Sequence, residues 1–146
     1  MSNMSNNTQK MEVLLISKYC DIVTQILAVH KNLSVNKTMF FAYLLNKDNF
    51  IYGDIYRSNT SVDLLFKCIS QVSGSYLEYC KSIEYILKAI HLLIRNGQLL
   101  INETELIYAK QCETGIKYNN KFIENAIYKS LEFSDRQFLK EVINNV

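Results

Sequence analysis

Residues Tyr76 to Tyr108 constrain the fold more than any other stretch of the chain. A long helix over Tyr76–Arg95 stops at Arg95-Asn96-Gly97, and the chain turns at once into two short apolar runs, Gln98–Ile101 and Glu105–Ala109. Gly97 stands where a C′ glycine ends a helix, with Arg95 in the last turn to complement the negative end of the helix dipole. Asn102-Glu103-Thr104 reads as a three-residue hairpin connection, a common length although it lacks glycine. The helix carries two apolar stripes, Cys80, Ile83, Leu87, Ile90 and Ile94, and Tyr79, Ile86 and Leu93. Two stripes predict two packing partners, which makes this the central helix.

Around it the chain reads as helical. Residues 1–10 are polar and Ser/Asn-rich and are expected to form a disordered leader. A first helix follows over Met11–Lys31, with Leu15, Tyr19, Ile22, Val23, Ile26 and Val29 at spacings of three and four. Asn32-Leu33 ends it, and Ser34 is a plausible N-cap for a short, very apolar helix carrying Met39, Phe40, Phe41, Tyr43 and Leu44. Residues 48–60 are aromatic but broken by Gly53-Asp54 and Ser58-Asn59, as an ordered loop or a short strand would be. A further helix over Val62–Val72 presents Leu64, Leu65, Cys68, Ile69 and Val72 inward, and Ser73-Gly74-Ser75 turns the chain. Beyond the hairpin, residues 110–118 read as a linker. The tail is helical again: Asn119 or Asn120 caps a segment with Phe122, Ile123, Ala126 and Ile127. Ser134-Asp-Arg-Gln137 then forms a capping box ahead of Phe138, Leu139, Val142 and Ile143.

A chain of 146 residues, 49% hydrophobic and 21% charged, can bury a core without disulfides or metals. The formal net charge of +2 is too small to argue for nucleic acid by itself. The four cysteines, Cys20, Cys68, Cys80 and Cys112, include no C-x-x-C pair and read as reduced thiols. Residues 1–10 lack the apolar segment of a signal peptide, and uninterrupted apolar runs such as Val13–Ile16 fall well short of a membrane span. A soluble, cytoplasmic protein with no membrane partner is expected. The absence of proline and tryptophan, with abundant Asn, Ile and Lys, suggests codon usage from an AT-rich genome, such as a low-GC bacterium or its phage.

The residues offer little to an enzyme. Phosphate-binding, zinc-protease and nucleophile-elbow motifs are absent. Cys80 and His91 lie three turns apart on one helix, roughly 16 Å, too far for a nucleophile and its base. No catalytic residue, cofactor, metal or small-molecule substrate is expected. For nucleic acid, Lys81, Lys88 and Arg95 recur every seven residues and so share one side of the helix before the hairpin, as a major-groove reader would arrange them. Glu78 and Glu84 dilute that stripe, and Glu103 and Glu105 sit where a DNA-contacting hairpin would favour Lys or Arg. For protein partners, the chain has ten tyrosines, several at loops and element ends, where their apolar area and polar tip suit an interface. Candidate interface residues are Glu105 and Tyr108 on the second hairpin strand, whose edge could take a strand from another chain, and Tyr118, Phe122, Tyr128 and Phe138 in the tail.

Helix, tight stop and hairpin is the element order of the second half of a winged-helix domain. The expected fold is therefore mainly α with a small β-hairpin, a winged-helix-like domain over 11–116 with a helical C-terminal extension over 117–146. The chain also resembles the small middle components of ABC-three-component systems and the small accessory subunit of Lamassu-type anti-phage systems. The resemblance lies in the helix Met11–Lys31, then Leu33-Ser-Val-Asn-Lys-Thr-Met-Phe-Phe continuing into Ala42-Tyr-Leu-Leu45. It continues through the Ile90–Gly97 helix end, the hairpin and the tail from Phe122. It spans most of residues 11–145 as a pattern of apolar positions. It implies a non-enzymatic accessory or adaptor subunit of a bacterial antiviral defence complex, bridging an SMC/Rad50-like ATPase and an effector protein, with any DNA contact indirect. The alternatives are a winged-helix DNA-binding transcription regulator using Lys81, Lys88 and Arg95, and a phage-encoded inhibitor of a host defence protein.

Overall fold

The computed structural model describes residues 2–47, 61–109 and 120–144. Its elements run α1 (Ser2–His30), β1 (Asn32–Ser34), α2 (Val35–Lys47), α3 (Ser61–Ser73), α4 (Tyr76–Arg95), β2 (Leu99–Asn102), β3 (Glu105–Tyr108), α5 (Lys121–Ser130) and α6 (Asp135–Asn144). The protein is mainly helical, with one small antiparallel sheet in the order β1-β3-β2. The expected aromatic segment 48–60 and linker 110–118 lie outside the described residues.

Helix α1 begins at Ser2, so residues 2–10, expected as a disordered leader, continue the helix. No glycine or proline interrupts Ser2–His30, so nothing in the chain stops the helix from propagating toward the N-terminus. Only its C-terminal part is core. Tyr19, Ile22, Val23, Ile26 and Leu27 are buried, while Met11, Val13 and Leu14 are exposed. Over Asn7–His30, α1 is also the one helix among the described residues long and apolar enough to cross a membrane, with a mean hydropathy of 1.4. Reading uninterrupted apolar runs missed this, because the polar residues are spaced along the helix. Core helices of soluble proteins and signal sequences meet the same criterion.

Helix α1 ends on Lys31 in the left-handed region (φ 70°), whose N–H donates to the Leu27 carbonyl at 2.8 Å. The chain then forms β1, a strand the sequence did not suggest: three residues are too few to show alternation, and the pairing partner is remote. Asn32, Leu33 and Ser34 pair with Ile107, Leu106 and Glu105 of β3. Leu33 and Leu106 are both buried under the sheet. Ser34 also caps α2, accepting from the Lys37 backbone N–H at 3.2 Å. Helix α2 is buried along nearly its whole length, from Lys37 to Leu44. It is the hub on which α1, α4 and both tail helices pack.

Helix α4 buries Tyr79, Ile86, Ala89, Ile90 and Leu93. The expected second stripe is only partly used: Cys80 and Leu87 face solvent, since they lie about 100° around the helix from Tyr79 and Ile86. Gly97, at φ 76°, closes a Schellman motif in which Gly97 N–H donates to Ile94 O at 3.1 Å and Gln98 N–H to Leu93 O at 3.0 Å. The hairpin pairs Leu99 with Tyr108 and Asn102 with Glu105. The connection is therefore the two residues Glu103-Thr104, shorter than expected, and Glu103 takes φ 57° there. The Asn120 cap on α5 is present, its Oδ1 accepting from Ile123 N–H at 3.1 Å. The capping box on α6 is reciprocal. Ser134 N–H donates to Gln137 Oε1 at 3.0 Å, and Gln137 N–H to Ser134 Oγ at 3.2 Å.

Helices α5 and α6 pack on α2 and α3 and contribute Phe122, Ile123, Ala126, Ile127, Phe138 and Val142 to the same core. Phe138 meets Phe40 edge-on, with ring centroids 5.1 Å apart. Within the described residues the tail is a layer of the domain, and it completes the cover over α2.

Candidate functional site

The outward face of α4 carries the three basic residues expected to contact nucleic acid. Lys81, Lys88 and Arg95 are all exposed and share one side. Their charge is not a continuous stripe. Lys88 Nζ donates to Glu12 Oε1 at 2.6 Å and lies 3.1 Å from Glu84 Oε1, and it sits 5.8 Å over the Tyr85 ring. Its hydrogen bonds to Glu12 and then to Glu84 raise the ammonium pKa. The middle cation is thus answered by two carboxylates, one of them from α1. Exposed Leu77, Leu87 and Leu92 interleave with the remaining cations. The face is mixed apolar and polar, a composition closer to a protein surface than to a phosphate-tracking one.

The hairpin differs from expectation in which edge is open. Strand β3 is the middle strand, so Glu105–Tyr108 already pairs on both sides and cannot accept a strand from another chain. The long-range pairing of β1 removes that site. Glu105 keeps an exposed side chain. Tyr108 is half-buried beneath Lys31, whose Nζ lies 5.2 Å from the ring centroid, and the Tyr108 hydroxyl is buried without a hydrogen-bond partner. Among the described residues β1 and β2 are the two edge strands; on β2 Leu99 is buried, while Leu100 is 55% and Ile101 49% exposed.

The tail residues separate sharply. Phe122 and Phe138 are 6% and 1% exposed, so both serve the core and neither is available to a partner. They stand on the inner faces of amphipathic helices, which a single sequence cannot tell from an interface face. Tyr128 is exposed, with its ring packed edge-on against His30 at 4.8 Å. Tyr118 lies outside the described residues. Exposed Leu131, Leu139 and Ile143 are the apolar residues the tail does present. Leu139 and Ile143 join Thr104, Asp135, Arg136 and Lys140 in an open groove between the hairpin connection and α6.

A polar clasp that sequence reading did not find joins the tail to the N-terminus of α2. Asp135 accepts from Ser34 Oγ at 2.5 Å and from Asn36 Nδ2 at 2.6 Å. Lys37, itself buried, donates from Nζ to the Phe133 carbonyl at 2.7 Å. Burial pushes the Lys37 pKa down, and Asp135 and Glu105 pull it partly back. The only sequence signal was a lysine inside a very apolar short helix, where a cation must find partners.

Two thiols, half-buried Cys20 and buried Cys68, are held in the protonated form. Desolvation raises the pKa of Cys20, with a smaller push from Asp21, and raises that of Cys68. Cys80 is exposed on α4, and Cys112 lies outside the described residues. Among the described residues no three His, Cys, Asp or Glu side chains converge as a metal site. The exposed features among the described residues are the mixed face of α4, the Leu100 and Ile101 side chains of β2, and the groove beside α6. Comparison with protein-family models, with curated proteins and with solved structures returns no match, and the chain is placed by its own geometry alone.

Proposed function

We propose that this chain is a winged-helix-like, non-enzymatic adaptor subunit that acts by binding other proteins. The element order supports the fold reading. A helix leads into β1, further helices end in a hairpin, and β1 returns to pair with the second hairpin strand, which is the sheet order of a winged helix. The observation that carries the functional reading is the outward face of α4. In a DNA reader the helix before the wing offers unopposed cations and donors to the groove. Here its central Lys88 is held by Glu12 and Glu84, Leu87 and Leu92 are exposed beside it, and Glu103 and Glu105 stand on the hairpin.

The resemblance to the middle components of ABC-three-component systems and to the Lamassu accessory subunit supplies the partner class: an SMC/Rad50-like ATPase and the effector it controls. On this reading the chain holds the effector against the ATPase, and the ATPase senses DNA. The test is co-purification. The tagged chain is expected to retain a coiled-coil ATPase encoded beside its gene, and introducing charge with Leu87→Glu and Leu92→Glu on α4 should release it while the thermal unfolding curve stays in place. Absence of any such neighbouring ATPase would overturn the assignment. Binding of the isolated chain to duplex DNA at low salt, with a steep salt dependence, would instead establish the regulator reading, for which exposed Lys81 and Arg95 are the available contacts.

A further inference from the structure

Helix α6 has two sides that carry apolar residues, and the core uses one of them. Phe138 and Val142 point inward and are 1% and 5% exposed. Arg136, Leu139, Lys140 and Ile143 stand roughly 130° around the helix from that pair, and all four are exposed. Their spacing of i, i+3, i+4 and i+7 is that of one contact stripe on a helix. Ile143 is 61% exposed although the inner face of α6 is already filled. Together with Asp135 and with Thr104 of the hairpin connection, the stripe lines an open groove. The hairpin wall is fixed in place, because the Thr104 carbonyl accepts from Val35 N–H at the start of α2 at 2.9 Å. A helix laid along α6 would touch both walls without any rearrangement of the domain.

The charges define what such a helix carries. Among the described residues no ion pair engages Arg136 or Lys140, whereas Lys47, Lys88, Lys121 and Lys129 each face a glutamate. Asp135 is turned toward α2, where its oxygens accept from Ser34 and Asn36. Exposed Glu103 and Glu105 belong to the hairpin side. The groove is therefore apolar along Leu139 and Ile143, basic along α6 and acidic along the hairpin. A second copy that offered its own α6 would bring the Arg136 and Lys140 side chains of two chains together, and like charges at an interface suppress that pairing.

We propose that the groove beside α6 is a docking site for an amphipathic helix of a partner protein, one with apolar residues a turn apart and carboxylates on the flank that meets α6. Leu139 and Ile143 receive the apolar stripe, and Arg136 and Lys140 receive the carboxylates, the helix-in-groove mode of recognition. This site rests on the adaptor reading and deepens it: a subunit that bridges two proteins needs two separate surfaces, and the groove shares no residue with the outward face of α4.

The test uses a fluorescein-labelled synthetic peptide of about five helical turns, with leucine at i, i+3, i+4 and i+7 and with glutamate and alanine elsewhere. A scrambled peptide of the same composition is the control. Fluorescence anisotropy with the full chain should show saturable binding of the patterned peptide, at least about tenfold tighter than the scrambled one. Ile143→Asp, and Arg136→Glu combined with Lys140→Glu, should each weaken binding by about tenfold or more while the far-UV circular dichroism melt is unchanged. A peptide with lysine in place of glutamate should prefer the doubly substituted chain to the native one, a reversal that damage to the fold does not produce. Leu87→Glu with Leu92→Glu on α4 should leave peptide binding as it is, so loss of the ATPase partner and loss of this site are read separately. A native chain that does not bind the patterned peptide, equal binding of both peptides, or no reversal with the lysine peptide would each overturn the proposal. A dimer in sedimentation that Ile143→Asp dissociates would give the groove to a second copy and overturn it as well.

Discussion

Asp135 accepts hydrogen bonds from two side chains at the start of α2, Ser34 and Asn36. Removing the carboxylate leaves both donors without their acceptor and the buried Lys37 ammonium with Glu105 as its remaining carboxylate. Asp135→Ala is therefore expected to cost roughly 2–3 kcal/mol in urea unfolding, the range for losing charge-assisted bonds in a partly buried site. An unchanged midpoint would show that water replaces the carboxylate. His30 makes a second prediction. Desolvation lowers its pKa, with Glu124 opposing, so the folded state holds the neutral imidazole more firmly than the unfolded chain does. Its contribution to stability is complete above the unfolded value near 6.5 and declines as the pH falls from there toward the folded value. The urea midpoint should fall between pH 7 and pH 5, and His30→Gln should flatten that part of the profile. A slope equally steep in the variant would place the titration elsewhere.

At the scale of elements, the tail is the sharpest departure from the sequence reading. Phe138 lies between Phe40 and Phe41 of α2, so Phe138→Ala should cost about 3–5 kcal/mol, measured by thermal or chemical unfolding. A chain cut after residue 116 should show no cooperative transition, where an independent winged-helix domain would keep one. What was legible were signals completed within one helical turn. The Ser34 and Asn120 caps, the Ser134–Gln137 box and the Gly97 stop each depend on residues three or four apart, and each is where it was expected. What was not legible depends on partners far along the chain. Strand β1 owes its existence to β3, and its pairing closes the edge where strand addition was expected. The burial of Phe122 and Phe138 is set by which face of an amphipathic helix meets α2 and α3. The helical start of α1 was hidden because Ser, Asn and Thr have modest helix propensity, and a helix joined to a packed segment needs no strong propensity of its own.

For the molecule as a whole, several of the cations are answered by neighbouring groups. Lys88, Lys47, Lys121 and Lys129 each pair with a glutamate, and Lys37 is buried against the tail. With a net charge of only +2, the surface has little long-range field with which to steer a polyanion. The clasp at Ser34 has one more consequence, in time instead of space. Ser34 and Asp135 stand 101 positions apart, and the residues that seal the core over α2 include Phe138 and Val142. A chain made from its N-terminus therefore carries α2, buried from Lys37 to Leu44 in the finished fold, without its final cover until nearly all of these residues have been synthesised. During synthesis that bare helix is the segment a chaperone would meet, and any partner that requires the finished surface must bind after translation has passed Val142.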